Sequence, residues 1–423
     1  MFLKMIGFST LLAVAILGGA LPASGQTVAL SYSGSGTSGN GNNGAITGTG
    51  TGTIAGGTGS LTFTGLTSNG GQCDNSVLFS LKATAANNTD SLSTVFQASS
   101  GASGGDSSGN LTIPGTLTVA GGTGIYAGKG GGGNGTISVV ISKATGGFTY
   151  TFTGSITFAG SLVVLPTVNP SGVVPVNSDL TQVQSGSWVS IYGSNLASGT
   201  TTASGSFPTS LGTTTVSFDG KLGYLWFVSA GQINVQVPDD TKTGCVPVVV
   251  NTPTGSVTST VDLEPIAPSL NVITGNNGKT YAAAVILTPN GSGAYGGGTY
   301  DIMGPTGNFA FSTRPAKKGE IVELFGVGFG PVKTPSPAGS FTGASATTNT
   351  VQVFTNVSPT SGTQLPVSFA GLVGQGLYQV TVTIPQNAAS GDQPMQVSIG
   401  PVTQGQSNNA QLSSDLTILM SIQ

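Results

Sequence analysis

The chain has 423 residues, of which only 6% are charged: 11 Lys and Arg stand against 14 Asp and Glu, the net charge is −3, and there is no histidine. Ordinary globular proteins carry roughly 25% charge, so this surface must be wetted by Ser, Thr, Asn, Gln and backbone. A single arginine (Arg314) and scattered lysines leave no basic footprint, which argues against nucleic acid and against a polybasic membrane patch, while the missing histidine removes the commonest general base and zinc ligand.

Residues 1–25 read as an export signal. Lys4 supplies the positive start, Met5 to Leu21 is an apolar run slightly too short to span a bilayer, and Ala23-Ser24-Gly25 offers the small residues of a cleavage site. Gln26 follows where a lipid anchor would need cysteine, and no later apolar run is long enough for a membrane span. The mature protein is expected to be exported: secreted, periplasmic or at the cell surface.

Residues 26–164 are dominated by Gly, Ser and Thr, with short alternating runs such as "SLTFTG", "SVLFSLKA" and "FTYTFTGSITF" between glycines. Runs of this kind predict half-buried strands joined by tight turns. The expected element is a Gly-rich β-sandwich or barrel. Its stretch Gly122-Thr123-Gly124-Ile125-Tyr126-Ala127 imitates a dinucleotide fingerprint, and Gly128-Lys129 a phosphate loop. Neither lies in a βαβ unit, and Gly130 stands where a Ser or Thr would hold magnesium, so both read as a glycine-rich turn. No cofactor is expected.

Three prolines in "LPTVNPSGVVPVNSDL", without clean alternation, predict a linker over 165–180. Beyond it the chain says one thing twice, in units expected over 181–268 and 269–423. "GSWVSIYGSNLA" aligns with "GEIVELFGVGFG", placing Val189 with Val322, Ile191 with Leu324, Tyr192 with Phe325 and Gly193 with Gly326. Later, "QINVQVP" (232–238) aligns with "QVTVTIP" (379–385), and Gly244 and Pro247 with Gly391 and Pro394. Ile233, Val235 and Val237 point inward and Gln232, Asn234 and Gln236 outward, as a strand facing a second sheet requires. The fold class is all-β, with two β-sandwiches after the N-terminal β-domain.

These phrases resemble the opening strand of IPT/TIG immunoglobulin-like domains. Together with "RPAKKGEIVELFGVGFG" and "FAGLVGQGLYQVTVTIP", the region from about 172 to 423 is similar to the Solibacter-type C-terminal domain of exported soil-bacterial proteins. The resemblance implies an immunoglobulin-like tandem accompanying diverse N-terminal parts, and no activity. The stretch "GGTGIYAGKGGGGNGTISVV" resembles hairpins of exported dirigent-like β-barrels over some twenty residues.

Tyr224-Leu225-Trp226-Phe227 follows Asp219-Gly220, a hairpin signal. Alternation puts Leu225 and Phe227 on the core face, and Tyr224 and Trp226 on the other. That second face makes either an interdomain contact, which is the expectation, or an exposed platform of the kind that stacks on sugar rings.

The acids form no evident catalytic set. Of the three glutamates, Glu264, Glu320 and Glu323, the last two lie at the start of a predicted strand with Glu323 at an outward position, which reads as a solvated edge. Asp239-Asp240 reads as a capped turn and not a calcium site, and no metal ligand set is expected. A carboxylate hydrolase would have only Asp74, Asp90 and Asp106 in the N-terminal domain. Cys73 and Cys245 could pair in an export context, but they fall in different candidate domains, and two unpaired thiols are expected. The expected function is non-catalytic adhesion or extracellular interaction with a protein or polysaccharide, with a carbohydrate-binding module and a carboxylate-dependent hydrolase as alternatives.

Overall fold

The computed structural model describes residues 25–38, 46–54, 57–67, 73, 77–98, 110–141, 147–178, 180–288, 298–358, 361–400, 409–410 and 418–423. Of the export signal expected over 1–25, residues 1–24 lie outside them, as do Asp74 and Asp106. The chain is all-β and divides into two compact units, one of residues 1–70 and 75–165, the other of residues 71–74 and 166–423.

Eight antiparallel strands form the first unit: β1 (Thr27–Ser38), β2 (Ile46–Ile54), β3 (Gly57–Thr67), β4 (Val77–Ala85), β5 (Ser91–Ala98), β6 (Asn110–Thr123), β7 (Lys129–Ile141) and β8 (Gly147–Ser161). They close into a barrel because β1 pairs with β8. Alternation sends Leu61, Phe79, Phe96, Phe152 and Ile156 inward, enough side-chain volume to fill an eight-stranded barrel. The glycine-rich β2 fits this crowd: a Cβ at Gly48 would overlap the Phe63 ring, so a wider residue on one strand needs none on its neighbour. Outward positions of β2 are the exposed Thr47, Thr49 and Thr51. A barrel that is apolar inside and hydroxylated outside inverts the polarity by which barrels sit in lipid. Gly122 and Thr123 end β6, and Gly124 to Gly128 form the β6–β7 connection, a 3-10 turn over Gly124–Tyr126. Its Ile125 amide donates to Asp90 Oδ1 (3.1 Å), and Asn87 Nδ2 donates to Asp90 Oδ2 (2.6 Å).

Two sandwiches make up the second unit. In the first, the strands are β9 (Thr167–Pro175), β10 (Gln182–Gln184), β11 (Trp188–Ser194), β12 (Thr201–Thr202), β13 (Thr215–Phe218), β14 (Lys221–Leu222), β15 (Tyr224–Val228), β16 (Gln232–Gln236), β17 (Gly244–Thr252) and β18 (Gly255–Glu264). Their sheets run β10-β18-β17-β13-β14 and β12-β15-β16-β11-β9, and Val189, Ile191, Val216, Ile233, Val235, Val248 and Val250 are fully buried in the shared core. The second sandwich repeats the plan. One sheet is centred on Ile321–Val327 paired with Leu377–Thr383, the other on Gly391–Ile399 between Val351–Ser358 and Ile418–Ile422. Register carries the repeat into space: Val189 faces Val235 in the first copy, and their counterparts Val322 and Val382 face each other in the second.

The stretch 165–180 is not the expected linker. Residues 167–175 are β9, antiparallel to β11 with a bulge between Ile191 and Gly193. An edge strand tolerates Pro170 and Pro175 because one side of it needs no ladder, and the bulge breaks the alternation that would have announced it.

The expectation of free thiols is also corrected. Cys73 is bonded to Cys245 with a Cα–Cα distance of 5.1 Å. Sequence reading assigned each cysteine to its own domain, whereas the short segment 71–74, placed in sequence between β3 and β4, belongs to the second unit, where Thr260 Oγ1 donates to the Cys73 carbonyl at 2.6 Å. Such a bond persists in an oxidising compartment, and the protein is accordingly an exported one.

Candidate functional site

The outer face of the β12-β15-β16-β11-β9 sheet gathers most of the aromatic side chains singled out in sequence. Asp219 (φ 48°) and Gly220 (φ 79°) turn the chain between β13 and β14, the positive-φ pair that a tight hairpin needs. The chain then crosses to the other sheet at Gly223, where a Cβ would meet Val235 and the Gln236 carbonyl. β15 begins there. Tyr224 lies opposite Gln236 and Leu225 opposite Val235, but a bulge follows, and Val228 rather than Phe227 takes the inward place opposite Ile233. Phe227 is therefore half-buried, not a core residue as strict alternation implied.

The two residues expected to act together are separated by their surroundings. Tyr224 meets the second sandwich, with its ring so close to Gly339 that a Cβ there would overlap it. Trp226 does not pack there: it is 45% exposed. The interdomain tryptophan is Trp188, 8% exposed, whose Nε1 donates to the Gln375 carbonyl at 2.6 Å. Trp226 and Phe207 each stand edge-on to Trp188, with ring centroids 6.1 and 4.8 Å away. Alternation along β11 gives Trp188 the outward face it shares with Ser190 and Tyr192, and sequence reading had used this strand only to recognise the repeat.

Between the aromatic groups runs a row of amides on β16. Gln236 bridges the two sandwiches, its Oε1 accepting from the Gly339 amide and its Nε2 donating to the Gly186 carbonyl, both at 2.9 Å. Asn234 Oδ1 accepts from Ser190 Oγ (3.1 Å) and from Gln232 Nε2 (2.8 Å). That leaves Asn234 Nδ2 and Gln232 Oε1 without partners among the described residues. On the far side Tyr192, opposite Gln232, is 40% exposed. Trp226 and Tyr192 thus stand on strands two apart, roughly 10 Å across the sheet, flanking fixed amide groups on a face with no charged side chain.

The carboxylates are mostly engaged elsewhere. Arg314 donates from Nη1 and Nη2 to both oxygens of Glu320 (2.8 and 3.0 Å) and from Nε to Asp301 (2.7 Å). Glu323 is not a solvated edge: it is 5% exposed and accepts from Gln379 Nε2 at 2.9 Å. Asp239 Oδ2 accepts from the Ala338 amide (2.9 Å), and Asp240 pairs with Lys221 (3.1 Å) while accepting from the Lys242 amide (3.0 Å). That amide, with burial opposing it and Lys221 assisting, holds the Asp240 carboxyl below its ordinary range. Among the described residues no group of acids, cysteines and histidines is arranged to hold a metal, and no helix is long and apolar enough to cross a membrane.

No protein-family model matches the chain, and no curated protein does. Among solved structures it is similar to the extracellular region of Plexin A4, at 8% identity and a TM-score of 0.15 over 86% of this chain and 47% of that one. A protein of Corynebacterium diphtheriae described as membrane-anchored is 10% identical, with a TM-score of 0.16 over 94% of this chain and 95% of that one. The chain spans about half the length of the plexin region. Overlaps this loose bear on neither mechanism nor ligand.

Proposed function

We propose that this is an exported, non-catalytic interaction protein whose working surface is the outer sheet face of the first sandwich, and that the surface holds a neutral polysaccharide. The exposure of Trp226 carries the proposal. A large apolar ring kept in water beside a second exposed ring, with unpaired amide donors and acceptors between them, suits a ligand that is flat, apolar on its faces and hydroxylated at its edges. The lack of charge on the face favours neutral chains over uronate-bearing ones. Support for a non-catalytic role comes from the structural duties of Asp90, Asp239, Asp240, Glu320 and Glu323. The immunoglobulin-like modules of the IPT/TIG resemblance would serve as rigid carriers of this face, at the cell surface or free of it.

The test is affinity electrophoresis of the mature protein through gels loaded with neutral glucan, mannan or a polyuronate. Retention on a neutral polymer is expected to fall several-fold in Trp226→Ala and in Tyr192→Ala, with stability changed by only about 0.5 kcal/mol, as for exposed sites. Unchanged retention, or a loss of about 3 kcal/mol in Trp226→Ala as for packed aromatics, would reject the assignment.

A further inference from the structure

A cleft of about 450 Å³ opens between the two sandwiches of the second unit. Pro265 from the first sandwich and Pro331, Val332, Pro335 and Leu372 from the second give it apolar walls. Glu264, the last residue of β18, also lines it. Of the three glutamates its side chain alone lacks a hydrogen bond or ion pair to the described residues. The one cation of the lining is spoken for, since Lys242 Nζ is 2.6 Å from Asp219, and of the other two lining acids Asp240 pairs with Lys221 (3.1 Å) while Asp239 accepts from the Ala338 amide (2.9 Å). Desolvation by burial, and then the neighbouring Asp262 carboxylate, push the Glu264 carboxyl above its ordinary range. A half-buried carboxylate with no partner is a standing cost that folding alone does not require.

We infer that this cleft is a second binding site, and that it takes the basic side chain of a partner protein: a lysine whose aliphatic stem lies along the prolines, Val332 and Leu372 while its ammonium pairs with Glu264. Three features select this occupant. The walls match a methylene stem, which buries readily while its charged head stays polar. The one charged side chain of the cleft with neither a hydrogen bond nor an ion pair among the described residues is negative. The proline backbones on both sides offer no amide hydrogens that would favour an anion. The cleft meets the polysaccharide face only at Gln236 and contains neither Trp226 nor Tyr192, so substitution of those rings tests the face alone.

The experiment uses the full mature chain and two probes, Nα-acetyl-lysine methylamide and the same compound with its side-chain amine acetylated, titrated by NMR. The charged probe is expected to shift resonances of residues lining the cleft, with affinity falling as salt rises, and the neutral probe to bind at least tenfold more weakly. Glu264→Gln should lose tenfold or more of the affinity while melting at or above the wild-type temperature, because it removes an unpaired carboxylate rather than a contact. Trp226→Ala should leave lysine binding unchanged, so that failure of the polysaccharide assignment leaves this one standing. Equal binding of both probes, absence of saturable shifts, or wild-type affinity in Glu264→Gln would each overturn the inference.

Discussion

The two sandwiches share a turn and strand plan and differ in what they place on it. In the first, the Gly186 amide donates to the Val237 carbonyl and the Ser187 amide to Gln184; in the second, Gly319 donates to Ile384 and Glu320 to Lys317. On the outer face, Ser190 and Asn234 of the first copy correspond to Glu323 and Thr381 of the second. Both pairs sit beside a glutamine, Gln232 or Gln379. One glutamine orients a neutral amide whose Nδ2 has no partner among the described residues, and the other caps a buried carboxylate. The same backbone therefore yields a presented face in one copy and a closed one in the other, because the core alternation fixes the inward residues and leaves the outward ones free to diverge.

The largest expected effect lies where the copies differ covalently. Cys245, next to Gly244, corresponds to Asp392, next to Gly391, and Asp392 accepts from the buried Tyr281 hydroxyl at 2.8 Å. A crosslink spanning 172 residues stabilises by up to about 5 kcal/mol in the loop-entropy model, whereas losing the Asp392 acceptor costs about 1–3 kcal/mol. Denaturant unfolding of Cys73→Ser/Cys245→Ser and of Asp392→Ala should rank them in that order. A cysteine variant less damaged than Asp392→Ala would mean that the bond adds little to the stability of the folded chain.

How much of this was legible follows from which interactions are local. The copies, their inward valines and the Asp219-Gly220 hairpin were readable because period-two alternation and positive-φ turns are written in adjacent residues. The disulfide, the burial of Glu323 and the role of β9 were not, because each depends on a partner far along the chain: segment 71–74 for Cys245, Gln379 for Glu323, β11 for Pro175. Trp226 sits between these cases. Its outward direction was readable, but whether a neighbour covered that face was not, and Gly339 covers only Tyr224.

A second contrast concerns Trp188 and its counterpart Ile321. Trp188 is nearly buried and bonded to Gln375, while Ile321 is 40% exposed. Trp188→Ala is expected to cost about 3 kcal/mol or more, and Ile321→Ala only about 0.5 kcal/mol, by thermal or denaturant unfolding. Similar losses at both sites would mean that Trp188 contributes area alone, with no share from joining the sandwiches. Below these comes the pair at the glutamines: Glu323→Ala should cost about 1–3 kcal/mol by removing a charged acceptor and leaving Gln379 Nε2 only Thr381 Oγ1 (3.0 Å), and Asn234→Ala less than that, with its loss seen in polysaccharide retention.

The smallest expected effect is a pH dependence at the turn the copies share, where Ser187 corresponds to Glu320. Burial works against the Glu320 carboxylate, but the Arg314 hydrogen bonds and the Lys317 amide (2.7 Å) outweigh it and hold its carboxyl below the ordinary range. A group whose folded value is depressed binds protons more readily when unfolded, so its stabilisation is complete above the unfolded value and is lost as pH falls through the folded one. Glu320→Gln should therefore lower the unfolding midpoint of the second sandwich at neutral pH and flatten its decline in acid, leaving the two proteins alike below the folded carboxyl range. Asp240 in the first sandwich is also held low, first by the Lys242 amide and, against burial, by Lys221, but that lysine is half exposed and solvent screens the ion pair, so Asp240→Asn should flatten the acid limb less. If Asp240→Asn flattened it more, the acid sensitivity would belong to the copy that carries the presented face rather than to the closed one.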